Sequence, residues 1–181
     1  MSNVRRLAAR NNRQSAEALD TPTDLSQKAV TEMSAALNRI LADAFALYLK
    51  TKNFHWHVSG PNFRDYHLLL DEQSEEIIGV TDEIAERVRK IGGLTLRSIG
   101  QISKLQTIDD NNAEFVAPSD MLRELMNDNK AVAKAMREAH ELADKHDDAA
   151  TAGFLENLID ATEKRTWFLF EASRKPDPSG H

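Results

Sequence analysis

The sequence predicts an all-α fold made of four long helices, with one long crossover between the second and the third. Apolar residues recur at intervals of three and four in four separate stretches, and Gly and Pro stand between those stretches. No stretch alternates with the period of two that a half-buried strand requires. A chain of 181 residues fits one domain of ordinary size.

The composition excludes several classes of protein. The chain has no cysteine, so a disulfide framework, a thiolate nucleophile and a Cys-ligated metal are excluded, and nitrogen and oxygen must hold any metal. With 41% apolar and 29% charged residues, wholesale disorder is excluded as well. The sequence contains no apolar run of about 18 residues and no apolar signal-peptide core, which predicts a cytoplasmic protein without a membrane partner.

A basic arm precedes an acidic body. None of the 29 acidic residues comes before Glu17, although the whole chain carries a net charge of -6. The first residues contain four arginines, Arg5, Arg6, Arg10 and Arg13. Because residues 1–23 have no sustained apolar stripe, we predict a flexible arm there, followed by a helical bundle over 24–175 and a short tail over 176–181.

The first helix is predicted from Leu25 to about His57, where the sequence Ser-Gly-Pro-Asn breaks the pattern. A second long pattern runs from Phe63 to Ile91 and ends at a Gly pair, which is typical of a helix C-terminus. The two helices are joined by a short turn, so they are expected to pack antiparallel.

The crossover spans residues 93–118 and contains one short stretch compatible with a helix, from about Ile99 to about Leu105. The third helix is predicted to begin at Ser119 and the fourth at Asp147, and Pro176 stands beyond the end of the fourth. A short first loop, a long second connection and a short third loop are typical of the ferritin-like four-helix bundle.

Five side chains form a candidate metal site. In a continuous second helix, His67, Asp71, Asp82 and Glu86 would lie within about 100° of one another. His55 lies about as far before the turn as His67 lies beyond it, so the hairpin brings the two histidines level. Imidazole and carboxylate ligands suit iron, manganese or zinc.

The spacing predicts that this site is shared between two chains. Asp71 and Asp82 are separated by about 16 Å along one helix, so they cannot bind one metal within a chain. In a twofold dimer, His55, His67 and Asp71 can face Asp82 and Glu86 of the other chain, which makes two identical sites. The sequence has no Glu-x-x-His motif, which argues against a di-iron centre inside the bundle.

The segment KNFHWHVSGPNFRDYHLLLDEQ, followed by TDEIAERVRKIGG, resembles the signature of the Dps family, the DNA-binding proteins from starved cells. The resemblance in pattern covers about residues 25–173, and its strong motifs lie within 52–93. It implies that the same five residues are ferroxidase ligands for two iron ions per site. It further implies a twelve-subunit shell that oxidises Fe(II), preferentially with hydrogen peroxide, and stores the ferric product inside.

The resemblance suggests roles for further residues. Trp56 is expected to pack at the dimer interface, and its oxidisable indole would alternatively intercept radicals beside the metals. The acidic residues Asp144, Asp147, Asp148 and Glu163 are placed around the third loop, where family members form acidic pores, although a charged loop is also compatible with simple solvation.

The arginine arm resembles the tails with which some family members hold DNA, through contacts with phosphate. Association with the nucleoid would follow from such binding. An alternative hypothesis is therefore an architectural particle that compacts DNA and has a weak or vestigial iron site. A scaffold that only binds a protein partner is disfavoured by the ordered spacing of the ligands.

Overall fold

The computed structural model describes residues 18–174 and shows an all-α fold, as the sequence predicts. The six helices are α1 (Gln27–His57), α2 (Phe63–Gly79), α3 (Thr81–Lys90), α4 (Ile99–Leu105), α5 (Pro118–Lys145) and α6 (Ala149–Ser173). Helix α1, the pair α2 and α3, helix α5 and helix α6 form the bundle, and α4 is the predicted short helix in the crossover. None of the helices in the described range is long and apolar enough to cross a membrane.

The predicted second helix is interrupted, which corrects the expectation of one continuous helix. Val80 has φ -89° and ψ -6°, and it separates α2 from α3. The sequence around it disfavours a regular helix, because Gly79 has a low helix propensity and the Thr81 hydroxyl donates a hydrogen bond to the Ile78 carbonyl at 2.7 Å. The predicted second helix is therefore two helices, α2 and α3, joined at Val80.

The hydrophobic core lies between the four helices of the bundle. Its fully buried side chains come from every long element and include Leu37, Leu41, Leu70, Ile84, Val88, Leu122, Leu125, Leu155 and Leu169. The buried carboxylate of Asp43 holds the segment after α4 on α1, since it accepts hydrogen bonds from the backbone N–H groups of Thr107 and Ile108 and from the Thr107 hydroxyl. These three donors satisfy the buried carboxylate.

The predicted arm is only partly within the described range, because residues 1–17, with its four arginines, lie outside it, as do residues 175–181. Residues 18–23 lie against the bundle. Arg89, near the end of α3, donates hydrogen bonds to the Leu19 carbonyl at 2.5 Å and to the Thr21 hydroxyl at 3.3 Å. Contact with the body thus begins before the predicted boundary at residue 24.

Candidate metal centre

The hairpin of α1 and α2 brings His55 and His67 together. His55 lies in the last turn of α1 and His67 lies in the second turn of α2. Their rings are stacked, with centroids 3.8 Å apart and an interplanar angle of 20°. Phe63 packs on the other side of the pair, with its ring centroid 5.1 Å from that of His67. The two imidazoles therefore form one block next to the turn that joins α1 and α2.

Two reciprocal hydrogen bonds orient these rings. His55 Nδ1 lies 2.8 Å from the His67 carbonyl oxygen, and His67 Nδ1 lies 2.9 Å from the His55 carbonyl oxygen. A carbonyl oxygen can only accept, so each Nδ1 carries a proton, and the neutral form of each ring has its lone pair on Nε2. This is the tautomer that a metal ligand needs, held by the kind of backbone contact that orients ligating histidines.

Asp71 follows His67 by one helical turn and completes this half of the site. Its Oδ1 lies 3.7 Å from His55 Nε2. Lys52, three residues before His55, donates a hydrogen bond to the same carboxylate. This hydrogen bond holds the pKa of Asp71 below its ordinary value. The carboxylate is therefore anionic, but it is already engaged by an ammonium group.

Sequence reasoning did not identify the role of Lys52. The signal was present, because residues three apart lie on the same face of a helix, and Lys52 is three residues before His55. What the pattern does not show is that the side chain reaches across to Asp71 on the neighbouring helix.

The remaining two predicted ligands lie on α3, and within the described residues no contact comparable to the histidine stacking orients them. Asp82 and Glu86 are one turn apart, and both side chains are exposed. Glu86 forms an ion pair of 3.1 Å with Lys90, one turn further along α3. Val80 stands between α2, which carries His67 and Asp71, and α3, which carries these two carboxylates.

The donor set fits a hard or borderline divalent cation. It offers two imidazole nitrogens with free lone pairs and three carboxylates, and it contains no soft sulfur ligand, which suits Fe(II). Within residues 18–174, no group of three or more His, Asp or Glu side chains converges closely enough in one chain to hold a metal ion.

The structure also gives the positions of Trp56 and of the residues predicted to line a pore. The Trp56 side chain is 61% exposed, next to the histidine block in sequence and pointing away from the core. Asp144 lies 3.3 Å from His140 Nδ1, and Asp147 has a positive φ of 57° in the loop before α6. Both are in the region where the sequence analysis placed an acidic pore.

Two of the four pore predictions need correction. Asp148 is buried, because its carboxylate caps the N-terminus of α6 and binds Arg87, so it does not line an open surface. Glu163 lies in the middle of α6, about 22 Å along the helix from Asp148 and away from the third loop, and it is paired with Arg137.

Comparisons with known proteins agree with this architecture. The ferritin-like domain family matches residues 34–175. The DNA protection during starvation protein of Brevibacillus brevis is 34% identical over 137 residues, which cover 76% of this chain and 91% of that protein. A crystal structure of a Dps protein from Bacillus brevis matches with a TM-score of 0.79 and 30% identity, covering 83% of this chain and 100% of that chain. Dps from Thermosynechococcus elongatus matches with a TM-score of 0.79 and 29% identity, covering 83% and 95%.

Proposed function

Because this chain belongs to the Dps family of ferritin-like proteins, we propose that it oxidises Fe(II), stores the ferric product and thereby protects DNA. The name of the Brevibacillus brevis relative states DNA protection for that protein. The observation that carries the proposal is the stacked pair His55 and His67. Their reciprocal hydrogen bonds leave both Nε2 lone pairs free beside Asp71. Iron is the substrate and cargo of this site.

The complete site is formed by two chains related by a twofold axis. One chain supplies His55, His67 and Asp71, and the partner supplies the carboxylates of α3. The exposure of Asp82 and Glu86 supports this arrangement, because both side chains are accessible to a second molecule. Two symmetric sites per dimer follow from the isologous contact.

An apolar surface beside the histidine block supports the same dimer. Leu49 and Trp56 are seven residues apart on α1 and therefore share one face of the helix. Ile99, on α4, is 79% exposed and lines a groove together with Leu49. A second copy that covers this face would bury these side chains.

The residues define what each part of the site does in the reaction. The imidazoles bind Fe(II), and the carboxylates favour the ferric state because their negative charge stabilises the higher positive charge. Two Fe(II) ions release one electron each, and hydrogen peroxide takes up both electrons with two protons to give two water molecules. Lys52 lowers the affinity of the position next to Asp71, so the second Fe(II) binds there more weakly than the first.

The site is tested by replacing His67 and Asp71 with alanine in one chain. The double variant should fold and assemble but lose rapid peroxide-dependent oxidation of Fe(II), followed by the absorbance of the ferric product. His57→Ala is the matched control, because His57 is exposed and its Nδ1 contacts only the Asn53 carbonyl of its own helix. If the double variant oxidises Fe(II) at the rate of the control, the site assignment is wrong.

We further propose that twelve chains assemble into a hollow shell with the mineral inside. Acidic residues near the third loop, Asp144 and Asp147, would draw cations toward an opening between subunits. Native mass spectrometry tests the subunit number, and a mass other than that of twelve chains would contradict it.

A second candidate function is the compaction of DNA by the particle, with a weak iron site. The observation that favours it is the arm, which holds four arginines and no acidic residue before Glu17. Twelve arms on one particle would bind phosphate multivalently. Deletion of residues 1–16 should abolish DNA retardation in gels at low salt and leave Fe(II) oxidation unchanged. If retardation survives the deletion, the arm is not the DNA-binding element.

A further inference from the structure

We infer that the ion pair between Arg87 and Asp148 is a positioning device for the carboxylates of α3. The inference rests on the proposed function, because Asp82 and Glu86 on α3 are the carboxylates that the partner chain would use. Val80 separates this ten-residue helix from α2. A directional contact between α3 and another helix of the bundle would help to hold the direction in which the two carboxylates point.

Arg87 makes that contact with the first turn of α6. Its Nη2 donates to Asp148 Oδ1 at 2.6 Å, and its Nε donates to Thr151 Oγ1 at 2.7 Å. Asp148 is only 5% exposed and Thr151 is fully buried. Two directional bonds from one planar guanidinium define both the position and the angle of the side chain.

The partners of Arg87 are themselves rigid. Asp148 is the N-cap of α6, and its carboxylate accepts from the Thr151 backbone N–H at 3.1 Å and from the Thr151 hydroxyl at 2.5 Å. These bonds form within α6 and do not depend on α3. The guanidinium thus docks on a preformed acceptor pair that belongs to a different helix of the bundle.

The apolar contacts of α3 do not achieve the same precision. Ile84 and Val88 are fully buried and keep one face of α3 on the core, but hydrophobic contact is non-directional. Side-chain ends lie about 6 Å from a helix axis, so a rotation of about 10° displaces a carboxylate by about 1 Å. A preorganised site tolerates displacements of only about 0.5 Å. Arg87 is therefore a positioning residue that acts through the backbone of α3.

The test uses Co(II) as a spectroscopic probe of the assembled, full-length protein. Arg87→Lys keeps the positive charge but cannot reproduce the two bonds of the guanidinium. We expect it to change the visible d–d absorption of bound Co(II) and to weaken Co(II) binding by about tenfold, the lower end of the range for residues that orient metal ligands.

The matched control is Arg165→Lys. Arg165 is as buried as Asp148 and donates to Asn129, Thr162 and Glu76, so its loss also breaks buried polar contacts. It contacts no residue of α3 through its side chain. We expect this variant to lower the melting temperature without altering the Co(II) spectrum.

A second variant, Asp148→Asn, keeps an effective N-cap on α6 while removing the charge that binds Arg87. It should shift the Co(II) spectrum in the same direction as Arg87→Lys. If both variants bind Co(II) with the spectrum and affinity of the control, the positioning inference is wrong although the proposed function stands. If the wild-type protein itself binds no Co(II) at the histidines, the proposed function fails and the inference fails with it.

Discussion

The two halves of the proposed site are built in different ways. On the α1–α2 hairpin, His55 and His67 are stacked and fixed by reciprocal hydrogen bonds within one chain. On α3, Asp82 and Glu86 are exposed. The nitrogen half is therefore preorganised in each chain, whereas the carboxylate half would acquire its proposed function only on assembly. This difference determines which substitutions should be most damaging.

The largest effect is expected from His55→Ala. It removes a nitrogen ligand together with the partner that orients His67, whereas Glu86→Gln removes only the charge of an exposed ligand and retains an oxygen. We expect the rate of Fe(II) oxidation to fall at least about 100-fold for His55→Ala and about tenfold for Glu86→Gln, which correspond to about 2.7 and 1.4 kcal/mol of barrier. Stopped-flow absorbance measures both rates. Equal losses would show that the two halves do not differ as the structure indicates.

The next largest effect is a recovery of activity on mixing two inactive variants, which tests whether the two halves of the site come from different chains. One inactive variant carries His55→Ala with His67→Ala, and the other carries Asp82→Ala with Glu86→Ala. In a mixed dimer one site collects both defects and the other collects none, so up to half of the sites in such dimers should recover.

Activity of the co-assembled mixture is compared with that of each parent after dissociation and reassembly. A mixture as inactive as its parents would mean that the sites are not shared between chains.

Lys52→Met is expected to strengthen metal binding, with an effect of moderate size, whereas the preceding substitutions weaken the site. The substitution frees Asp71 from its hydrogen bond, returns the pKa of that carboxyl toward its ordinary value, and removes a positive charge from the metal position. We expect the weaker of the two metal-binding steps to tighten by about tenfold, since a charged competitor for the Asp71 carboxylate is lost. Anaerobic calorimetry with Fe(II) measures the affinity of each binding step.

Lys50→Met would not serve as a control, because Lys50 is buried between Glu124 and Asp128. Lys90→Met, on the other half of the site, is the useful comparison.

The smallest effect is expected from breaking the contact between His146 and Glu32, which belong to neither half of the proposed site. His146 Nε2 lies 2.8 Å from Glu32, and this hydrogen bond lowers the pKa of the Glu32 carboxyl. A lowered pKa in the folded state adds stability above the ordinary pKa of 4.5, and this stability is lost as the pH falls through the lower folded value. His146→Gln should lower the melting temperature at pH 6 by about 2 °C or less. The difference from wild type should shrink below pH 4, and Fe(II) oxidation should not change.

Several parts of this protein could be predicted because they depend on neighbours in sequence. The bounds of α4, Ile99–Leu105, follow from a local apolar pattern, and the structure confirms them. The level placement of His55 and His67 follows from a short turn between two helices, and the stacked rings confirm it. The interruption at Val80 was missed, although Gly79 and Thr81 are local signals, because the apolar period continues across it.

The sequence by itself determined the four helical segments of the bundle, their order and the level placement of the two histidines, because helix periodicity, capping and short turns are set by residues within about four positions of one another. Only the tertiary structure decided that Lys52 binds Asp71, that Asp148 is buried rather than open to solvent, and that Arg87 joins α3 to α6. These contacts join side chains that lie on different helices. Their geometry is set by how the helices pack, and no local pattern encodes the distance between such atoms.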